Sequence, residues 1–290
     1  MAIARAAKAG AWLLLDSDDD YPSGLRDLPN APVCLFALGD RAITARPCVA
    51  IVGTRRSTPS GERVTRDLAG ALARAGACVV SGMARGIDGV AHRSALDAGG
   101  ATVAVLGTGI DIAYPTAHRP LHRQIAERGL LLSEEMPGDP ASAGSFPKRN
   151  RLIAALASVT IVVEAGSRSG ALITAMHALE LGRTVAAVPG PVDVPQNAGS
   201  NGLLRDGAAF IGDVADALAV MGLNAARRAT PELTSAAQRA VWDVLGKGAL
   251  DMDSLAASCA LPAAECLGAV TALELSGAVE CALTGEIRRP

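Results

Sequence analysis

The sequence predicts an α/β protein in which a doubly wound, mostly parallel sheet over residues 48–221 is followed by a small helical module over 235–290. Three observations predict it. Short runs that are apolar throughout alternate with helical patterns, and such runs suit strands covered on both faces. Small residues stand just after most of these runs, at Gly53, Gly82, Gly107 and Gly166, on the strand edge where open α/β sheets bind ligands. After Gly222 the pattern breaks, and three short helical repeats with a terminal hairpin follow.

The lead-in, residues 1–47, carries two apolar runs, Trp12 to Leu15 and Val33 to Leu38, separated by turn-rich chain, and is expected to pack on the main domain as strands or packing segments. Cys48 to Val52 reads as the first buried strand. Val64, Leu68 and Leu72 then recur at helical spacing until Gly76. Cys78 to Ser81 opens into Gly82-Met83-Ala84-Arg85-Gly86-Ile87-Asp88 and a helix through Ala91, Ala95 and Leu96. Thr102 to Leu106 is a third strand. A less regular stretch from Tyr114 to Arg128 leads to the run Leu130 to Leu132 and a loop to Ser145. Val159 to Val163, a helix from Gly170 to Leu181 and Thr184 to Val188 complete at least six strands. Together these outline a Rossmann-like sheet.

Residues 222–234, with two arginines, Thr230 and Pro231, read as a linker. Beyond it lie helices at Ala236 to Leu245, after Asp251-Met252-Asp253, and from Pro262 to Gly277, then a hairpin turning at Thr284-Gly285. Three helices and a hairpin outline a winged helix.

Half of the 290 residues are hydrophobic, 2% are aromatic, and the net charge is −2. A globally basic nucleic-acid binder is excluded, so anion binding has to rest on local patches. The six cysteines have no CxxC pair and are expected as buried free thiols. Trp12-Leu13-Leu14-Leu15 is too short for a membrane span, so a soluble, cytoplasmic protein without a membrane role is expected.

A strand ending in Ser81-Gly82 and opening onto a helix presents free N–H groups to a phosphate. After the first strand stands Gly53-Thr54-Arg55-Arg56-Ser57, without the G-x-G-x-x-G of a dinucleotide oxidoreductase, and no P-loop follows any strand. Phe146-Pro147-Lys148-Arg149-Asn150-Arg151 combines a ring able to stack on a base with three cations, although a core ring beside a solvated helix start is an equal reading. His118 and His122 share a helix face but lack a third metal ligand, so no metal is expected. Asp88, Asp111 and Glu164 are read as helix caps or arginine partners rather than catalysts. Whether Arg85 faces a pocket or pairs with an acid stays open.

In this order and spacing, these motifs resemble the DNA-processing protein A family (DprA, also called Smf) over residues 48–220. The resemblance rests on Ile51 to Arg55, on Ser81 to Asp88 with Ala91-His92, and on Gly107 to Asp111 with Tyr114-Pro115. It continues through Phe146 to Arg151, Glu164 to Thr174 and Val188-Pro189-Gly190. It implies a homodimeric single-stranded DNA-binding protein, without catalytic turnover or cofactor, that protects incoming DNA in natural transformation and loads the RecA recombinase. The site residues it implies are Gly53, Arg55, Arg56, Ser57, Ser81, Gly82, Arg85, Gly86 and Gly107, with Phe146, Lys148, Arg149, Asn150, Arg151, Ser169 and Gly170.

Some members carry an N-terminal helical SAM-like domain, which 47 lead-in residues are too few to hold. Residues 232–290 contain eight acids and four bases, a net of −4 that leaves +2 for the rest. The third helix of that module holds Glu265 and Glu274 and no cation, so it is expected to meet protein, or the chain's own main domain, rather than duplex DNA. Two other readings stay open. One is a nucleotide-processing enzyme like the lysine-decarboxylase-like phosphoribohydrolases, whose Pro-Gly-Gly-x-Gly-Thr loop is replaced here by Gly166-Ser167-Arg168-Ser169-Gly170. The other is a winged-helix regulator with a ligand-sensing sheet domain.

Overall fold

A computed structural model describes residues 2–8, 10–142, 144–223, 233–246, 248–276, 278–282 and 285–289. The chain forms two compact units, Met1–Ala225 and Ala226–Pro290. Most of the expected linker and the residues before Gly285 in the expected hairpin turn lie outside the described residues.

Among the described residues, the first unit is built on nine strands: β1 (Trp12–Leu15), β2 (Cys34–Gly39), β3 (Cys48–Val52), β4 (Cys78–Ser81), β5 (Ala101–Leu106), β6 (Leu130–Ser133), β7 (Val159–Val162), β8 (Thr184–Ala187) and β9 (Ala209–Phe210). Their order is β1-β2-β6-β5-β4-β3-β7-β8-β9. All neighbours are parallel except β1 with β2 and β2 with β6, so both lead-in runs extend the sheet at one edge.

Alternation along each strand sends side chains to opposite cores. Cys48, Ala50 and Val52 join the layer under α6 (Ser145–Leu156) and α7 (Gly170–Glu180), along with Leu25 of the short α2 (Ser23–Arg26). Val49 and Ile51 join the layer under α3 (Pro59–Arg74), α4 (Ile87–Asp97) and α9 (Val214–Val220). A third cluster packs α5 (Arg119–Arg128), through Leu121 and Ile125, with Ala6 of α1 (Ala2–Lys8) against β5 and β6. Helix α8 (Ala198–Arg205) follows the loop after β8.

In the second unit, α10 (Ala236–Leu245), α11 (Met252–Cys259) and α12 (Ala263–Leu275) enclose Val241, Leu255, Cys266 and Leu273. The hairpin pairs β11 (Glu280–Cys281) with β12 (Glu286–Arg288), and a two-residue β10 (Leu250–Asp251) adds a third strand that the sequence does not signal. Leu267 and Leu275 are exposed on α12.

The cysteines are free, but only Cys48, Cys78 and Cys266 are buried, whereas Cys34 and Cys281 are exposed; the expectation of burial is corrected for these two, which stand at a strand start and in the edge hairpin. Among the described residues no single helix is long and apolar enough to cross a membrane.

Candidate nucleic-acid interface

The chain leaves β3 towards β4, β5 and β6 on one side, then crosses back to place β7 on the other. Where strand order reverses in this way, the loops at the carboxyl ends part and leave a crevice. Here the loops after β3 and β7, with the first turns of α6 and α7, enclose a cleft of about 940 Å³. Its lining includes Gly53, Arg55, Arg56, Phe146, Arg149, Asn150, Arg168, Ser169 and Gly170.

The two loops are tied together by Glu164, which is buried. Its backbone oxygen accepts the Thr54 N–H at 2.7 Å. Its carboxylate accepts the Thr58 N–H at 2.9 Å and the Thr58 hydroxyl at 2.5 Å, while Thr58 caps α3. Glu164 is thus a brace beneath the cleft.

Arg149 forms part of the floor. It is buried, and one terminal nitrogen donates to the carbonyls of Gly82 (2.7 Å) and Val105. Burial lowers its pKa to about 10, offset by the neighbouring Asp88 and reinforced by Arg55. A Cβ on Gly82 would lie 2.6 Å from this guanidinium, so Gly82 is small to admit Arg149. Asp88 is also buried, which raises its pKa, and it accepts the N–H groups of Gly82 (3.2 Å) and Ala84 (3.3 Å).

Between those two N–H groups, Met83 holds φ +58°, uncommon outside glycine, and two histidines secure it. Thr102 spends its hydroxyl proton on Val79, so His92 Nδ1 donates to Thr102 (2.7 Å) and Nε2 accepts the Met83 N–H (3.3 Å). Burial lowers the His92 pKa to about 3, keeping it neutral. His118 Nδ1 donates to the Met83 carbonyl at 3.0 Å, and His122 Nε2 to that of Ile110 at 3.0 Å.

Arg55 lies over Phe146, 5.3 Å from the ring centroid, and the Tyr114 ring stands 5.2 Å from Phe146 at 38°. Phe146 is half-buried, whereas Tyr114 is 43% exposed and is the more open stacking face. Arg55, Arg56 and Arg168 are exposed. Among the described residues no carboxylate lies within 4.0 Å of these three arginines. The first turns of α6 and α7 carry no acid either, which leaves their positive ends open to an anion.

The structure splits the expected site. Gly53, Arg55, Arg56, Phe146, Arg149, Asn150, Ser169 and Gly170 meet at the cleft, although Arg149 is committed to backbone carbonyls. Ser81 is fully buried and donates to Ile51, and Gly82 and Gly107 lie under Arg149 and Phe146, so they shape the cleft without lining it. Lys148 and Arg151 turn to Glu134, at 3.4 and 2.7 Å, because residues three apart share a helix face and Arg149 takes the inward one. Ser57 donates to Glu62. Gly86, at φ +72°, packs against the Thr54 and Arg55 backbone, where a Cβ has no room. Arg85 is exposed, with no carboxylate within 4.0 Å among the described residues. Sequence reasoning missed Arg168 and Tyr114, though both stand in the quoted strand-end motifs.

A sequence profile of the family described as DNA recombination-mediator protein A matches residues 12–222, and one of the DprA winged helix domain matches residues 224–282. A DprA relative from Mycobacterium tuberculosis is 42% identical over 295 residues, covering 94% of this chain and 76% of its own. The X-ray structure of DNA processing protein A from Streptococcus pneumoniae is 40% identical with a TM-score of 0.70, over 72% of this chain and 73% of that one. The Helicobacter pylori DNA processing protein A, whose structure was described for its single-stranded DNA binding mode, is 34% identical with a TM-score of 0.64, over 70% of this chain and 92% of its own.

Proposed function

The chain belongs to the DNA recombination-mediator protein A family, and from that premise we propose that it captures single-stranded DNA in the switch-point cleft. We further propose that it acts in the cytoplasm as a homodimer, protecting incoming DNA during natural transformation and passing it to the RecA recombinase. The observation that carries the binding reading is the meeting of three exposed arginines without carboxylate partners and a ring pair at one sheet edge. The single-stranded DNA binding described for the Helicobacter pylori relative supports it.

In this reading Arg55, Arg56 and Arg168 neutralise the backbone while the α6 and α7 N-termini face phosphates. Bases stack on the Tyr114–Phe146 pair. Stacking tolerates any sequence because every base has a π-face. A buried guanidinium and a rigid αL turn hold the cleft open before DNA arrives, so little ordering cost falls on binding. Binding without turnover is favoured over nucleotide hydrolysis because the carboxylates beside the cleft are engaged, Glu164 by Thr58 and Asp88 by the loop N–H groups.

Tyr114→Ala is the test of the stacking surface. It is expected to weaken oligo-dT binding by about 1–3 kcal/mol, roughly a five- to 150-fold loss by fluorescence anisotropy, with the salt slope unchanged because no phosphate contact is lost. Wild-type affinity in this variant would remove Tyr114 from the interface.

A further inference from the structure

Arg85 lies outside the cleft but beside its rim. The residue after it, Gly86, packs on the Thr54 and Arg55 backbone, and the Ile87 N–H donates to the Thr54 carbonyl at 3.3 Å. Arg85 therefore begins where the Arg55 loop ends. From there α4 runs away from the cleft, with Gly89 in its first turns and Arg93 one turn later on the same face, about 6 Å along the axis.

The His118 ring covers Gly89, where a Cβ would lie 2.7 Å from its Cε1. Both Arg85 and Arg93 act on that imidazole, and with burial as the main cause they hold its pKa below the usual value. Arg93, like Arg85, is exposed, and among the described residues no carboxylate lies within 4.0 Å of it. Asp88, the acid in the first turn of α4, is buried under loop N–H groups and does not face solvent there. The next residue on this stripe, Asp97, is exposed and acidic.

We propose that single-stranded DNA leaving the cleft continues along α4, with Arg85 and Arg93 as contacts to its backbone phosphates and Asp97 marking where the track ends. The proposal rests on the cleft reading and adds a second segment to it. A short oligonucleotide fills the cleft alone; a longer one reaches Arg93.

The test uses the full chain and labelled oligo-dT of about 6 and about 20 nucleotides, one near the lower end and one beyond the upper end of common single-strand site sizes, over a salt series. Arg93→Glu is expected to weaken the longer probe about tenfold and to flatten its salt slope by about 0.7, the value of one phosphate contact, with the short probe unaffected. Asp97→Arg is expected to strengthen the longer probe alone, a gain that misfolding cannot imitate. Equal loss on both probes with Arg93→Glu, or no change on either, overturns the track. Failure of the cleft reading shows separately, as wild-type binding of the short probe by Arg55→Glu.

Discussion

Arg55→Glu is expected to lower affinity for single-stranded DNA by at least about a hundredfold while leaving the thermal midpoint within about 2 °C of wild type. Arg55 is exposed and lies over the Phe146 ring, 5.3 Å from its centroid, and among the described residues no carboxylate stands within 4.0 Å of it. Surface changes of that kind cost the fold about 0.5 kcal/mol or less. In the cleft, by contrast, the reversal removes a cation and adds an anion among groups that would meet phosphates. It also strips the cationic cover from Phe146, beside the ring pair on which bases would stack. Anisotropy with oligo-dT, alongside a melting curve, separates the two effects. Binding within twofold of wild type would take the cleft out of nucleic-acid recognition.

Arg149→Met is expected to behave in the opposite way, destabilising the fold by about 3–5 kcal/mol. It leaves the Gly82 and Val105 carbonyls without their donor and the buried Asp88 without its compensating charge. Loss of DNA binding would then follow unfolding rather than a lost contact. The pH dependence gives the mechanism away. Burial already raises the Asp88 pKa, so in the pH interval between its unfolded and folded values the folded chain binds more protons than the unfolded one, and stability falls as pH rises through that interval. Removing Arg149 raises that pKa further. The variant's stability should therefore recover in part as pH falls from 7 towards 5, and Asp88→Asn should rescue it at neutral pH. A clean binding defect with wild-type stability would show that Arg149 serves DNA directly.

These two arginines mark how far the sequence could be read. Cys48 to Val52 and Val159 to Val163 are legible as central strands because burial on both faces leaves no polar alternation to misread. The helix Arg119–Arg128 is hidden by its charged face, with Leu121 and Ile125 alone buried. The motifs that gather at the cleft are legible because each follows a strand. Their facing is not, because it depends on partners far along the chain: Glu134 draws off Lys148 and Arg151, and the carbonyls of Gly82 and Val105 take Arg149. Ser81-Gly82 has the composition of a phosphate loop, yet its hydroxyl and its missing side chain serve packing.

The most direct measurement is the affinity of the intact chain for matched single- and double-stranded oligonucleotides across a salt series. Capture in a basic, ring-lined cleft, together with a cation-free α12 face, predicts a clear preference for the single strand, with log affinity falling linearly as log salt rises. Equal affinity for the duplex, or binding indifferent to salt, would contradict it.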